Sequence, residues 1–160
     1  MPKKQLIDKS YMDQAKAAAS LSKDPYIKAG CVILSSDGRK LATGRNGFAA
    51  GMKETDDLWS KETKQEYVIH AELNALLNCP FDIEGSTLYC TYQPCHRCLQ
   101  YILNSGVRSV VFEVPKPHTE YPEIWLEAAK LFDSIYQIDK EGKPLEGILI
   151  GNKKHYFKTY

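Results

Sequence analysis

The sequence predicts an α/β domain, a three-layer α/β/α sandwich around a mixed, mainly parallel five-stranded sheet. Three observations predict it. From residue 86 onward, short β-branched runs alternate with helical runs, as in parallel strands joined by crossover helices. Ahead of them lies a hairpin pattern, which adds antiparallel pairing and makes the sheet mixed. The chain of 160 residues is long enough for one sizeable core and too short for two comfortable ones. One domain is therefore expected over 1–160, with its core in about 6–138 and a C-terminal extension over 139–160.

The elements follow in order. Residues 6–22 carry Leu6, Ile7, Tyr11, Met12, Ala15, Ala18 and Ala19 at helical spacing in an alanine-rich stretch. "KDP" at 23–25 ends that helix, because the residue before a proline is pushed out of helical geometry. "GCVIL" at 30–34 reads as a buried strand, "SSDG" at 35–38 as a turn, and "KLATGR" at 40–45 as the returning strand. Residues 46–66 are polar and without a period, a loop long enough to suggest a functional role. A helix follows over about 70–78, with Ala71, Leu73, Ala75 and Leu76 on its buried side. Then come a strand at 86–92, a short helix from His96 closed by Gly106, a strand at 107–114, a helix at 121–134 and a strand at 135–138. "GILIGN" at 147–152 offers one more strand.

Composition excludes several classes. Hydrophobic residues make up 43% and charged residues 26%, as in globular proteins, and the formal net charge is +1. That balance implies no broad cationic face for long nucleic acid. No stretch approaches the roughly 20 apolar residues that span a bilayer, and the N-terminus lacks a signal-peptide core, so a cytoplasmic protein is expected. Five cysteines, Cys31, Cys79, Cys90, Cys95 and Cys98, are an odd number, which favours reduced or metal-bound thiols over a disulfide framework.

Two short stretches carry the chemistry. "IHAELNALLN" at 69–78 places His70 and Glu72 at the start of a helix, and "YQPCHRCLQY" at 92–101 holds Cys95 and Cys98 in a C-x-x-C. The two sulfurs lie three residues apart at a helix entrance behind Pro94, so both can face one ion. The positive end of that helix favours thiolate. Helices that follow neighbouring parallel strands begin on one edge of the sheet, where ligands collect, so His70 can meet the cysteines. Three protein ligands leave a fourth tetrahedral position open for water, as in catalytic rather than structural zinc sites. Cys31, Cys79 and Cys90 are expected as buried apolar side chains rather than ligands. His96 points off the metal face toward the surface or the pocket rim, and His118 and His155 are read as loop and tail histidines without a role. Glu72 is placed to move a proton beside the open position without binding the ion.

At these residues the chain resembles the zinc-dependent cytidine and deoxycytidylate deaminases, whose signature is H-x-E followed by P-C-x-x-C. Within that superfamily "SKDPYIKAGCVI" at 22–33, "GRNGF" at 44–48, "DDLW" at 56–59 and "HAELNALLN" at 70–78 are most similar to the deoxycytidylate deaminases. The resemblance implies a cytidine-deaminase-like fold, one catalytic Zn2+ held by His70, Cys95 and Cys98, and Glu72 as proton shuttle in the hydrolysis of dCMP to dUMP and ammonia. It implies that Asn46 bonds the deoxyribose hydroxyl, that the Ala71 amide holds the base carbonyl, and that the carbonyls of Thr91, Tyr92 and Gln93 accept from the leaving amino group, with Tyr92 as a pocket wall. Lys28, Arg45 and Lys116 are candidates for the phosphate. By the same resemblance a homohexamer or other homo-oligomer is expected, activated by dCTP and inhibited by dTTP, with Mg2+ accompanying the triphosphate. That effector site would lie around Lys28, Arg45, Asn46 and Gly47. Other deaminations within the superfamily, of dCTP, cytidine, cytosine, guanine or tRNA adenosine, stay open at this point, as does a zinc module without catalysis. The near-neutral charge weighs against tRNA.

Overall fold

The computed structural model describes residues 1–158. Its first helix, α1 (Lys3–Ala19), begins a turn earlier than the apolar spacing predicts, since Lys3, Lys4 and Gln5 are good helix formers without being apolar. It ends earlier too. The Ser20 hydroxyl donates to the Ala17 carbonyl, and the amides of Leu21 and Ser22 turn back to Ala18 and Ala19, so the helix closes before Pro25 is reached.

The hairpin forms as expected from β1 (Gly30–Leu34) and β2 (Leu41–Arg45), turned at Gly38 with φ +75°. The polar stretch after it is more ordered than its lack of period suggests. Helix α2 (Asp56–Ser60) is capped by Thr55, whose side chain accepts from the Leu58 amide, and a 3-10 turn follows at Glu62–Glu66. A helix of five residues is too short to show an apolar period, but its cap and first-turn acids Asp56 and Asp57 are visible in the sequence.

Then come α3 (Ala71–Leu77), β3 (Thr87–Tyr92), α4 (His96–Ser105), β4 (Ser109–Val114), α5 (Pro122–Ala129) and β5 (Ser134–Gln137). Helix α5 stops well before the predicted end at 134. The amides of Asp133 and Ser134 already bond the Arg108 carbonyl there, which starts β5 beside β4. The stretch at 147–152 does not extend the main sheet. It forms a separate hairpin, β6 (Ile148–Ile150) with β7 (Lys153–His155), that seats Ile148 and Ile150 in the core.

The five-stranded sheet has the order β2-β1-β3-β4-β5. β1 is antiparallel to both neighbours and β3, β4 and β5 are parallel, so β1 alone runs against the rest. Alternation along each strand feeds two cores. Val32, Tyr89, Val111 and Tyr136 meet Met12 and Ala15 of α1 on one face. Cys31, Ile33, Leu88, Cys90, Val110, Phe112 and Ile135 meet α3, α4 and α5 on the other. The α1 layer also contains a buried carboxylate, Asp8, which accepts from the Tyr89 and Tyr136 hydroxyls at 2.8 and 2.7 Å.

One glycine decides how closely a helix sits. A Cβ on Gly44 of β2 would lie 2.5 Å from the Ala75 amide nitrogen and against the Ala71 carbonyl, so only glycine lets α3 rest on this strand.

Candidate metal and active site

His70 and Cys95 occupy equivalent positions, each the cap residue of the helix that follows, α3 and α4. Both have extended backbones, with φ and ψ of −67° and 153° at His70 and −72° and 167° at Cys95. The His70 ring makes no capping bond, which frees it to turn toward α4. Cys95 does cap. Its sulfur accepts from the Cys98 amide at 3.4 Å, which aims it along the same turn that carries Cys98. Pro94 just ahead is held by the buried Trp125, whose indole N–H donates to the Pro94 carbonyl at 2.8 Å.

The result is one cluster. His70 Nδ1 lies 3.7 Å from Cys95 Sγ and 3.4 Å from Cys98 Sγ, and the three ligand atoms fall within 4.8 Å of one another. A tetrahedral zinc ion with bonds of about 2.3 Å to sulfur and about 2.05 Å to nitrogen sets S···N separations near 3.6 Å. The donor set therefore fits zinc in both type and spacing. Among the described residues this trio is the only group of three or more histidine, cysteine or acidic side chains gathered closely enough to hold a metal.

The charges support the same use. A hydrogen bond from Cys98, with another from His70, lowers the Cys95 thiol to about 3 despite its burial. The bond to Cys95 and burial raise Cys98, so the metal-free pair carries one negative charge and one retained proton. The Cys95 sulfur raises His70 in turn. Glu72, at the second position of α3, is 6% exposed, and burial raises its carboxyl above the usual range, with the charge on His70 pulling it back. A carboxyl of raised pKa beside such a trio holds a proton more readily than an ordinary carboxylate, which suits proton transfer.

The trio lines a cavity of about 710 Å³, walled by residues 65–69, Leu73 and the first turn of α4, and by Lys116, His118, Thr119 and Glu120. His96 stands on its rim as expected, edge-on to Tyr121 at 4.8 Å. His118, read from sequence as a loop histidine without a role, instead lines this cavity, as does Arg97. No local spacing ties His118 to the metal residues; only the packing of the segment after β4 brings it there. Cys31 and Cys90 are fully buried cross-strand partners, and Cys79 bonds the Phe81 carbonyl, so none of the three joins the metal group.

The other predicted residues are dispersed. Ala71 sits between the metal ligand and Glu72, buried in the first turn of α3. Thr91, Tyr92 and Lys28 line a second cleft of about 320 Å³ on the α1 side. Lys116, which lines the larger cavity, stands 4.9 Å from the ring centre of Tyr92, which lines the smaller. Gln93 is buried, its Oε1 accepting from the Lys116 amide at 2.8 Å, while its Nε2 finds no partner among the described residues. Asn46 donates from Nδ2 to the Ile27 carbonyl and to Asp24, and its Oδ1 accepts from the Ala29 amide, leaving one lone pair. Gly47 pairs with Ile69 through two backbone bonds of 3.0 and 2.8 Å. Arg45 is exposed at the end of β2 and Lys28 donates to the Ser22 carbonyl.

An α/β sandwich that presents a His-Cys-Cys trio and a buried glutamate at one sheet edge defines a zinc-binding deaminase-type centre. Residues 6–114 match the profile of the cytidine and deoxycytidylate deaminase zinc-binding region, and the chain belongs to that family. A probable deoxycytidylate deaminase of Caenorhabditis elegans is 38% identical over 104 residues, 61% of this chain and 52% of that protein. The deoxycytidylate deaminase of Homo sapiens is 33% identical over 115 residues, 68% of this chain and 65% of that protein. The chain thus spans between about half and two thirds of the length of these two relatives. A crystal structure of the dCMP deaminase from the cyanophage S-TIM5 in complex with dCMP and dUMP superposes with a TM-score of 0.69 at 26% identity, covering 86% of this chain and 99% of the other. No helix among the described residues is long and apolar enough to cross a membrane.

Proposed function

We propose that this chain is a zinc-dependent deoxycytidylate deaminase that hydrolyses dCMP to dUMP and ammonia and so supplies dUMP for dTMP synthesis. The observation that carries the reading is the His70, Cys95 and Cys98 trio with Glu72 buried beside it, in a fold shared with a protein crystallised with dCMP and dUMP. When bound, zinc supplies Lewis acidity that brings water close to ionisation at neutral pH.

The chain's own residues do the rest. Glu72 takes a proton from the attacking water and passes it to ring N3, then takes the second proton from the new C4 hydroxyl and delivers it to the departing amino group, which leaves as ammonia. The buried setting of Glu72 raises its proton affinity above that of an ordinary carboxylate. The Ala71 amide holds the base carbonyl, and the carbonyls of Thr91, Tyr92 and Gln93 receive the amino group, with Tyr92 as a wall. Asn46 accepts the deoxyribose hydroxyl on the lone pair its Oδ1 keeps free. Of the three basic candidates, Lys116 lines the cavity and its charge acts on His70, so we assign the phosphate to it. Regulation by dCTP and dTTP around Lys28, Arg45, Asn46 and Gly47, with Mg2+ on the triphosphate and a homohexameric cytoplasmic enzyme, belongs to the same proposal and rests on family resemblance.

Ammonia release from dCMP, deoxycytidine, dCTP and a tRNA anticodon stem tests the reading. Turnover strongest with dCMP, and lost in a zinc-loaded Glu72→Gln variant, is expected. Release from another of these substrates but not from dCMP would overturn it.

A further inference from the structure

The chemistry described above makes no use of one buried ion pair. Lys64, on the 3-10 turn, is 8% exposed, and Asp24, in the segment leading into β1, is fully buried. The Lys64 ammonium donates to both Asp24 oxygens, at 2.7 and 2.8 Å. It also stands 4.8 Å from the ring centre of Tyr26 and 5.5 Å from that of Trp59, in cation–π range. Asp24 further accepts from the amides of Tyr26 and Ile27 and from Nδ2 of Asn46, at 2.8, 3.2 and 3.2 Å. Burial pushes its carboxyl up, but these donors outweigh burial and leave it below the usual range, ionised against Lys64.

A buried ion pair seldom adds net stability over apolar residues of the same volume; its best use is to specify geometry. Here both ends lead to the site. Beyond Asp24, Asn46 is fastened to the Ile27 carbonyl and the Ala29 amide. Beyond Lys64, its own carbonyl receives the amides of Tyr67 and Val68, at 3.1 and 2.8 Å, immediately before Ile69 and His70. The Gly47–Ile69 bridge then joins the two arms. The stretch from 46 to 70 is an excursion closed by that bridge, and the ion pair fastens its later arm to Asp24, which holds Asn46.

We propose that Lys64 and Asp24 form a positioning clamp, which sets the placement of Asn46 relative to His70 and thereby the enzyme's grip on the sugar hydroxyl of its nucleotide. Neither residue touches substrate. The inference rests on the dCMP reading above.

The test pairs Lys64→Met with Asp24→Asn, which leaves no unpaired buried charge and is expected to fold with one zinc per chain. Its KM for dCMP should rise about tenfold while kcat stays within about threefold, the mark of lost uniform binding. Lys64→Arg, which keeps the charge, should bring KM back to within about threefold of the parent. The probe that separates sugar recognition from general damage is 2′,3′-dideoxycytidine monophosphate, which lacks the hydroxyl; its KM should be nearly the same in the parent and the double variant. An unchanged KM for dCMP, or an equal rise for both nucleotides, overturns the clamp while leaving the functional reading intact. A zinc-loaded parent that does not deaminate dCMP overturns both.

Discussion

Gly44→Ala is a one-methyl change 26 residues upstream of His70 in the chain, and its effect can be worked out from the structure. The added Cβ would stand 2.5 Å from the Ala75 amide nitrogen, short of the 3.4 Å where ordinary contact begins by about 0.9 Å, and would also press on the Ala71 carbonyl. Both atoms are backbone, so no side chain can swing aside; α3 must lift or β2 must bend. Overpacking of this kind costs about 1–3 kcal/mol. For a chain of this size each kcal/mol lowers Tm by roughly 2–4 °C, so a fall of about 2–12 °C is expected. The displaced helix carries Glu72 and is capped by His70, and a shift approaching 1 Å at reacting groups costs on the order of 10²-fold in rate. Calorimetry and dCMP kinetics on zinc-loaded protein, with the exposed neighbour Thr43→Ala as control, provide the measurement. If Gly44→Ala kept Tm within about 1 °C and kcat/KM within about twofold of the parent, the scatter of a neutral surface change, the reasoning that β2 seats α3 and the proposed proton carrier would be refuted.

Three further outcomes follow from the site. The raised pKa of Glu72 means that the folded metal-free protein holds a proton that the unfolded chain has released between the ordinary carboxylate value and the folded one. Stability contributed by this group is therefore full below that window and lost as pH rises through it. The difference in Tm between metal-free Glu72→Gln and the parent should accordingly grow in favour of the variant as pH climbs through that window; a difference independent of pH would contradict the assignment. Zinc must displace protons from His70, whose pKa is raised by Cys95, and from the Cys98 thiol, so adding zinc to the metal-free protein in weak buffer should acidify it, and apparent affinity should fall as pH is lowered. Trp125→Phe leaves the buried Pro94 carbonyl without its donor and should cost about 1–3 kcal/mol in urea unfolding.

The metal trio is legible in the bare sequence because its information is local. An H-x-E and a C-x-x-C each place their side chains within one helical turn, and the alternation of strands and helices brings the two turns to one sheet edge. The hairpin is legible for the same reason, its turn residues sitting between two alternating runs. What escapes a sequence reading depends on distant partners. Lys64 and Asp24 are 40 positions apart and neither lies in a periodic stretch. His118 reaches the cavity only through the path of the segment after β4. The close seating of α3 on Gly44 depends on β2 and α3 packing together, which no single window of sequence contains. Among the residues expected to bind substrate, Thr91 and Tyr92 line the smaller cleft, which the end of α1 and the ends of β3 and β4 enclose together.

The Gly47–Ile69 bridge has a consequence for how such a protein could be altered. It ties off the intervening excursion at its neck, and a tight turn within it, with Gly51 at φ +86° and Met52 half-exposed, forms a tip 13 positions ahead of Lys64. Chain inserted at that tip would hang outside the knot, so new recognition elements could be grafted there while the imidazole stays where it is.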